Sequence, residues 1–262
     1  MSRAPFASAA VVGASGQMGG LFCRELAARG VAVHPLSRPY SDADLARALG
    51  RADLALVSVP VTALEAVLAQ VVPHLAPGAL LMDVCSVKVQ PMRQMLAAYA
   101  GPVIGTHPLF GPVIPEGFTP RTVVTPGPGA DPAPLLALLD AMGHHPFLTT
   151  PEEHDRAMAF VQGLNFVTSV AFMAALRDVP HIERYVTPSL ARRVEAARKM
   201  LTQDSELFAA VSEANPYTQE TIRQFRSYLS IAAGGDLELL ADHAGWWWRN
   251  DPREGASGGG RS

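Results

Sequence analysis

Short apolar segments alternate with amphipathic segments through the first 150 residues, and this alternation constrains the fold more than any other feature. The apolar segments predict strands at Ala9–Val12, Val31–Leu36, Leu54–Val59, Ala79–Val84, Pro102–Thr106, Arg121–Thr125 and Pro146–Thr149. The segments with the helical period predict helices at Gln17–Arg29, Asp42–Leu49, Val61–Leu75, Val89–Ala98 and Ala133–Met142. Such alternation is typical of βαβ units. Because the strands lack polar alternation, we predict a doubly wound α/β fold whose parallel sheet is covered on both faces.

The pattern of apolar residues changes near residue 150. From there no segment has a convincing strand pattern, and proline or paired glycines separate the apolar periodic segments. Helices are predicted at Pro151–Leu176, Pro188–Ala210, Pro216–Ala233 and Leu237–Arg249. We therefore predict an α/β domain at 1–150, an all-helical domain at 151–253 and a disordered Gly/Ser-rich tail at 254–262.

A glycine-rich segment joins the first predicted strand to the first predicted helix. Its sequence, GASGQMG at 13–19, is a variant of the dinucleotide-binding fingerprint. Glycines let the backbone approach a pyrophosphate closely, and the helix N-terminus offers free N–H groups and a positive dipole end. The position between a strand and a helix favours a Rossmann-type cofactor site over a tight turn without a ligand. The residues expected to contact the cofactor are Gly13, Ser15, Gly16, Gln17, Met18 and Gly19.

The end of the second predicted strand bears on the choice of cofactor. NAD sites usually have Asp or Glu there, which binds the ribose 2′-hydroxyl. This chain has Ser37 and Arg38 instead. A hydroxyl and a guanidinium suit a 2′-phosphate, so we predict NADP. NAD is the alternative if Arg38 is only a solvated surface residue.

Two polar segments follow later strands of the predicted sheet. One contains Ser86 and Lys88, and the other contains His107. Ligands of doubly wound sheets bind at the carboxyl ends of the strands, so both segments should face the cofactor. A hydroxyl, an amine and an imidazole at this edge suit proton transfer beside a hydride transfer. His107 lies off any predicted helix face, which disfavours a purely structural role.

Composition excludes several classes of protein. With a formal net charge of −3, the chain lacks the basic surface typical of nucleic-acid-binding proteins. Cys23 and Cys85 form no CxxC pair, so we expect no disulfide framework and no metal site, and a reducing cytoplasm fits. The N-terminus is predicted as a strand and not as a signal peptide. The most apolar stretch, Val67–Met82, is too short and too interrupted to span a bilayer, so no membrane partner is expected.

Five motifs in this order resemble the prephenate and arogenate dehydrogenase family, above all the dehydrogenase portion of bacterial chorismate mutase–prephenate dehydrogenases. They are GASGQMG at 13–19, SVP at 58–60, DVCSVK at 83–88, GTHPLFGP at 105–112 and EHDRAMAFVQGL at 153–164. The resemblance covers about residues 9–245. It implies a Rossmann domain followed by a helical dimerisation domain, and hence a homodimer. It also adds Val59 and Pro60 to the expected cofactor contacts.

The resemblance implies NAD(P)-dependent oxidative decarboxylation of a cyclohexadienyl substrate such as prephenate, with 4-hydroxyphenylpyruvate as the product. His107 would accept the proton of the substrate 4-hydroxyl, a role that suits a neutral imidazole near pH 7. Ser86 would bind the same region and orient His107. Lys88 would hold its loop or neutralise the substrate. His154 matches a family position near the substrate cleft, although a surface histidine is the alternative.

The two carboxylates of such a substrate need cationic partners. Counted back from the Gln-Asp pair at 203–204, the family's carboxylate-binding arginine falls on Lys199, and a second expected arginine falls on Ala191 beside Arg192. Lysine cannot form the bidentate fork of arginine. The candidate substrate anchors are therefore Lys199, Arg198 and Arg192, with a solvated helix face as the alternative.

Two alternative functions stay open at this point. The replaced arginine and the altered end of the second strand suggest a specialised enzyme, since similar enzymes oxidise 4-amino-4-deoxyprephenate in antibiotic-precursor pathways. The other alternative is a redox sensor that binds NADP without turnover. The presence of Ser86, Lys88 and His107 disfavours this second alternative.

Overall fold

The computed structural model describes residues 5–202 and 205–249, with every side chain except that of Lys199. The predicted tail at 254–262 lies outside these residues. The chain separates into two compact units, residues 1–218 and 219–262. The predicted domain boundary at residue 150 falls inside the first unit and stays a prediction.

One sheet of seven strands forms the centre of the first unit, in the order β2-β1-β3-β4-β5-β6-β7. The strands are β1 Ser8–Val12, β2 Ala32–Leu36, β3 Leu54–Val57, β4 Leu80–Asp83, β5 Val103–Pro108, β6 Thr122–Pro126 and β7 Pro146–Leu148. Neighbours from β2 to β5 are parallel. All seven predicted strands are confirmed, and so is the Rossmann-type fold.

The strand β6 departs from the parallel arrangement. It runs antiparallel to β5, and β7 follows β6 in the same direction. Parallel neighbours need a crossover connection, which is usually a helix. The segment 109–121 between β5 and β6 contains no helix, so the chain returns beside β5 in the opposite direction.

Helices cover both faces of the sheet. They are α1 Gln17–Ala28, α2 Asp42–Leu49, α3 Leu64–Val71, α4 Val89–Ala98 and α5 Ala133–Ala141, with short 3₁₀ turns at Val61–Ala63 and Val72–His74 on either side of α3. Side chains of α2, α3 and α4 form one buried apolar cluster with the sheet. Side chains of α1 and α5 form a second cluster on the opposite face. The central strands are thus buried on both faces, as their apolar sequences predict.

The described part of the chain after β7 contains helices joined by turns and no strand. The helices are α6 Pro151–Met158, α7 Asn165–Leu176, α8 Pro188–Thr202, α9 Ser205–Ala214, α10 Thr218–Ala233, α11 Leu237–Ala244 and α12 Trp246–Arg249. A π-helical segment, Ala159–Leu164, joins α6 to α7. A capping box begins α6, since Thr150 Oγ1 accepts the Glu153 N–H and the Glu153 carboxylate accepts the Thr150 N–H.

The continuous helical run Pro151–Leu176 is long and apolar enough to cross a bilayer by length and composition alone. The sequence patterns predicted a helix here but not its membrane-spanning length and apolarity, and the expected absence of a membrane partner stays a prediction. Only 11% of the apolar window is buried within the chain. Yet the first turns of the run place His154 and Asp155 in the core of the first unit. The exposed apolar surface therefore begins after α6.

Candidate active site

The glycine loop at 13–19 lies against the end of β3. Gly13 has a φ of +86°, and a Cβ there would lie 2.1 Å from the carbonyl oxygen of Ser58 and 3.4 Å from Val59. A Cβ on Gly19 would lie 2.2 Å from the carbonyl oxygen of Gly13. Both positions therefore require glycine. The close approach of loop, helix and strand is the geometry that the dinucleotide fingerprint provides.

The N-terminus of α1 fits the phosphates of a dinucleotide. No side chain caps the helix at Gly16, and its first turn contains no acidic residue. Its backbone N–H groups and dipole therefore favour an anion. Ser37, just after β2, lies beside the loop, where its Oγ accepts the Ser15 N–H at 3.0 Å. Arg38 follows Ser37 and is exposed.

His107 lies on β5, at the carboxyl edge of the sheet, and is 3% exposed. Its Nδ1 lies 2.9 Å from Nε2 of His154. Nδ1 of His154 lies 2.7 Å from Oδ1 of Asp155. Residues from β5 and α6 thus form one buried chain of hydrogen bonds.

The Asp155 carboxylate also caps α4. Its Oδ1 accepts the backbone N–H of Lys88 at 2.7 Å, and its Oδ2 accepts that of Val89 at 2.9 Å. A carboxylate is favoured there by the helix dipole. On the other side, Nδ2 of Asn215 donates to the backbone carbonyl of Asp155 at 2.7 Å. Asp155 therefore fixes the start of α6 against the segment 83–88.

The side chain of Lys88 points into the core. Its Nζ donates to Oδ2 of Asp83 at 2.5 Å and to the carbonyl oxygen of Thr106 at 2.6 Å. The Asp83 carboxylate also accepts the backbone N–H groups of Cys85 and Thr106. Of the two roles predicted for Lys88, the structure supports holding the loop, because its ammonium is already bonded within the core.

Burial governs the protonation of the site. It lowers the pKa of His107 well below the usual 6.5, and repulsion from a protonated His154 and from Lys88 lowers it further. Burial also lowers the pKa of His154, although the hydrogen bond to Asp155 opposes the shift. Both rings are therefore neutral near pH 7, as a proton acceptor requires. Burial raises the pKa of the Cys85 thiol, which disfavours its reactive thiolate.

The other predicted site residues make no hydrogen bond to His107 in the described part of the chain. Ser86 is half-buried, and within the described part of the chain no hydrogen bond joins it to His107. The ring of His107 is hydrogen-bonded to His154 instead. Arg192 and Arg198 on α8 are exposed, and Arg198 lies 3.6 Å from Glu195. The side chain of Lys199 lies outside the described residues.

Three polar residues that complete the site were not predicted from the sequence: Asp83, Asp155 and Asn215. Two of them lie inside the quoted motifs. Asp83 begins DVCSVK, and Asp155 follows His154 in EHD. Nothing in the local sequence of Asn215 points to the site.

The chain is similar to known dehydrogenases. Residues 36–119 match the family model for the nucleotide-binding domain of prephenate dehydrogenase. This stretch of the chain is therefore similar to that nucleotide-binding domain. The T-protein of Enterobacter agglomerans is 32% identical to the chain over 242 residues, which are 88% of this chain and 64% of the relative. The chain thus spans slightly less than two thirds of that relative's length.

Two solved prephenate dehydrogenase-like structures share the fold. The arogenate dehydrogenase of Synechocystis superposes with a TM-score of 0.73 at 22% identity, over 95% of this chain and 99% of that one. The prephenate dehydrogenase of Aquifex aeolicus superposes with a TM-score of 0.71 at 18% identity, over 90% of this chain and 94% of that one. The latter structure contains hydroxyphenyl propionate and NAD+. The predicted resemblance to prephenate and arogenate dehydrogenases is confirmed.

Proposed function

We propose that this chain is an NAD(P)-dependent dehydrogenase that oxidatively decarboxylates prephenate or a close analogue. The observation that carries the proposal is a buried, neutral His107 on the same sheet edge as the glycine loop. Because β1, β3, β4 and β5 are parallel neighbours, their carboxyl ends share one edge. Ligands of doubly wound sheets bind at that edge. The family match at 36–119 supports the same reaction class.

The residues of the chain have defined tasks in this reaction. A bound nicotinamide would supply the hydride acceptor. His107 accepts the proton of the 4-hydroxyl while the hydrogen on the ring carbon that bears this hydroxyl leaves as hydride. The bond from the ring to its carboxylate then breaks, CO₂ leaves, and that bond's electron pair completes the aromatic ring. The proton returns to the phenol oxygen, so His107 is regenerated. Ser86, half-buried between β4 and α4, would bind the same substituent.

We further propose NADP as the preferred cofactor, with NAD as the alternative. Two features support it: the end of β2 offers no carboxylate for a ribose 2′-hydroxyl, and Ser37 and the exposed Arg38 lie there instead. The relative from Aquifex aeolicus binds NAD+. Both cofactors therefore belong in the assay.

A steady-state assay tests the activity. Reduction of NADP and of NAD is followed with prephenate, arogenate and 4-amino-4-deoxyprephenate side by side. We expect turnover of prephenate. A higher kcat/KM with the 4-amino compound would assign the chain to the specialised reaction, which replacement of the family arginine by Lys199 favours. Binding of NADP without turnover of any of the three would overturn the proposal and favour a sensor.

We also propose that a second copy of the chain covers the apolar surface of α7. No residue of α7 is buried within the chain, and Val170 is among its exposed side chains. Large exposed apolar surfaces mark protein interfaces, and two-fold dimers are the commonest assemblies.

Light scattering after size exclusion tests the dimer. The wild type should have twice the monomer mass, and Val170→Glu should reduce it. Val113→Glu is the matched control, because Val113 is equally an exposed valine but lies in the segment 109–121 between β5 and β6. A monomeric wild type would contradict the proposal.

A further inference from the structure

We infer that His154 and Asp155 are positioning residues that hold His107 in the tautomer with its proton on Nδ1, so that Nε2 is the proton acceptor. The kinetic consequences of this inference rest on the proposed function. The tautomer itself is measurable without any turnover.

The contact between Asp155 and His154 fixes the position of one proton. The Asp155 carboxylate already accepts the backbone N–H groups of Lys88 and Val89 at the start of α4. An ionised carboxylate only accepts hydrogen bonds. The proton in the 2.7 Å contact therefore belongs to Nδ1 of His154, which donates to Oδ1 of Asp155.

His154 is neutral near pH 7, because burial lowers its pKa. A neutral imidazole has one N–H and one lone pair. With the N–H on Nδ1, the lone pair of His154 lies on Nε2. His107 must then be the donor in the 2.9 Å contact, through its own Nδ1. Its remaining nitrogen, Nε2, has the free lone pair that a base needs.

The charged groups around His107 and His154 also favour neutral rings. On the side of β4 and α4, Lys88 lies near both rings and disfavours their protonation. Asp83 is bonded to Lys88 and partly offsets this effect at His154. On the side of α6, Asp155 is the only carboxylate among the described residues that is hydrogen-bonded to His154. Asn215 holds the backbone of Asp155 in place.

The same geometry argues against a substrate contact by His154. Both of its ring nitrogens are hydrogen-bonded within the protein, and its side chain is 0% exposed. In hydrolytic triads a carboxylate accepts the Nδ1–H of the histidine base and holds that histidine in the correct tautomer. The wrong tautomer lowers kcat strongly. His154 and Asp155 together occupy that orienting position for His107.

NMR of the protein labelled with ¹⁵N-histidine tests the tautomer directly, because ring nitrogens with and without a proton have widely separated shifts. The His107 signals are assigned from their loss in His107→Asn. We expect a protonated Nδ1 and an unprotonated Nε2 near pH 7. A proton on Nε2 of His107 overturns the inference, whether or not the chain turns over any substrate.

Two substitutions of His154 test the kinetic consequence. His154→Leu removes the acceptor and should lower kcat by roughly 10²-fold, with the substrate KM within about threefold of wild type. His154→Gln places a carbonyl oxygen near the position of Nε2 and should recover about tenfold of that loss. A raised KM with an unchanged kcat in His154→Leu would show a substrate ligand instead and would overturn the inference.

His144→Leu is the matched control. His144 is as buried as His154, but it packs against Phe22 and Phe110. This variant should lower Tm without the loss in kcat. If His154→Leu does not fold, His154→Gln still tests the inference. In that variant, a His107 ring with its proton on Nε2 and an unchanged kcat would contradict the inference. If the wild type turns over no substrate, the proposed function fails while the NMR result still stands.

Discussion

Nζ of Lys88 lies 2.5 Å from Oδ2 of Asp83, and both side chains are fully buried. Removing two charges from water is costly, and their attraction offsets the cost only when the remaining hydrogen bonds are made. They are made here, because Lys88 also donates to the Thr106 carbonyl and Asp83 accepts the Cys85 N–H. The pair therefore connects β4 to β5 immediately before His107.

Lys88→Met should lower the free energy of unfolding by about 3–5 kcal/mol, because it leaves the charge of Asp83 buried without a partner. Urea denaturation measures the change. The matched control is Arg47→Met, which breaks an exposed pair with Asp44 and should change the free energy of unfolding far less. Equal small losses in both variants would show that the buried pair contributes little.

His107→Asn should lower kcat by ~10²–10⁴ with a nearly unchanged KM, since the lost interaction belongs to the transition state. Steady-state kinetics with the best substrate measure this. The exposed His181 provides the control, and His181→Asn should stay within about threefold of wild type. A His107→Asn variant with comparable activity would remove His107 from the mechanism.

The double variant Ser37→Asp/Arg38→Ala should weaken the use of NADP and improve that of NAD. A carboxylate at position 37 repels a 2′-phosphate and accepts the ribose hydroxyls. It can also keep the hydrogen bond from the Ser15 N–H, so the glycine loop should be preserved. The ratio of kcat/KM for the two cofactors is the measurement, and a wild type that strongly prefers NAD would contradict the NADP proposal.

Lys199→Ala should raise the substrate KM by about tenfold or more and leave the cofactor KM unchanged, because a hydrogen bond to a charged group contributes ~1.5–3 kcal/mol. Lys199→Arg should be tolerated. Arg198→Ala should have a smaller effect, since Arg198 is exposed and lies near Glu195. A larger loss in Arg198→Ala or Arg192→Ala would move the carboxylate anchor to that arginine.

The free energy of unfolding should decrease as the pH falls below about 6.5. The folded pKa values of His107 and His154 are lowered, whereas unfolded histidines titrate near 6.5. Below that pH the unfolded state binds more protons, so acidification destabilises the fold by up to about 1.4 kcal/mol per pH unit for each histidine. Urea denaturation at about pH 7.5 and 5.5 measures the slope. The variant His107→Asn/His154→Gln should show a flatter dependence, and an unchanged slope would contradict the assignment.

Local sequence determined the elements and several site residues. Apolar runs and helical periods predict the seven strands and the helices around them, because the spacing of apolar residues along the sequence follows from which faces of an element are buried. The glycine loop is partly local, since Gly13 has a positive φ and Gly19 faces the Gly13 carbonyl, whereas the close approach of Gly13 to Ser58 is a tertiary contact. The position of His107 at a strand end follows from the rule that parallel strands present their carboxyl ends together.

Only the tertiary structure decided how those residues are partnered. His107 and His154 are 47 positions apart in sequence, and Lys88 and Asp155 are 67 apart. No periodicity records such pairs, because each contact depends on the packing of α6 against β5 and α4. The burial of the Lys88 ammonium, the reversal of β6 and the exposed surface of α7 have the same origin. Sequence thus specifies which groups are present at the sheet edge, whereas packing selects which nitrogen of His107 is left to accept a proton.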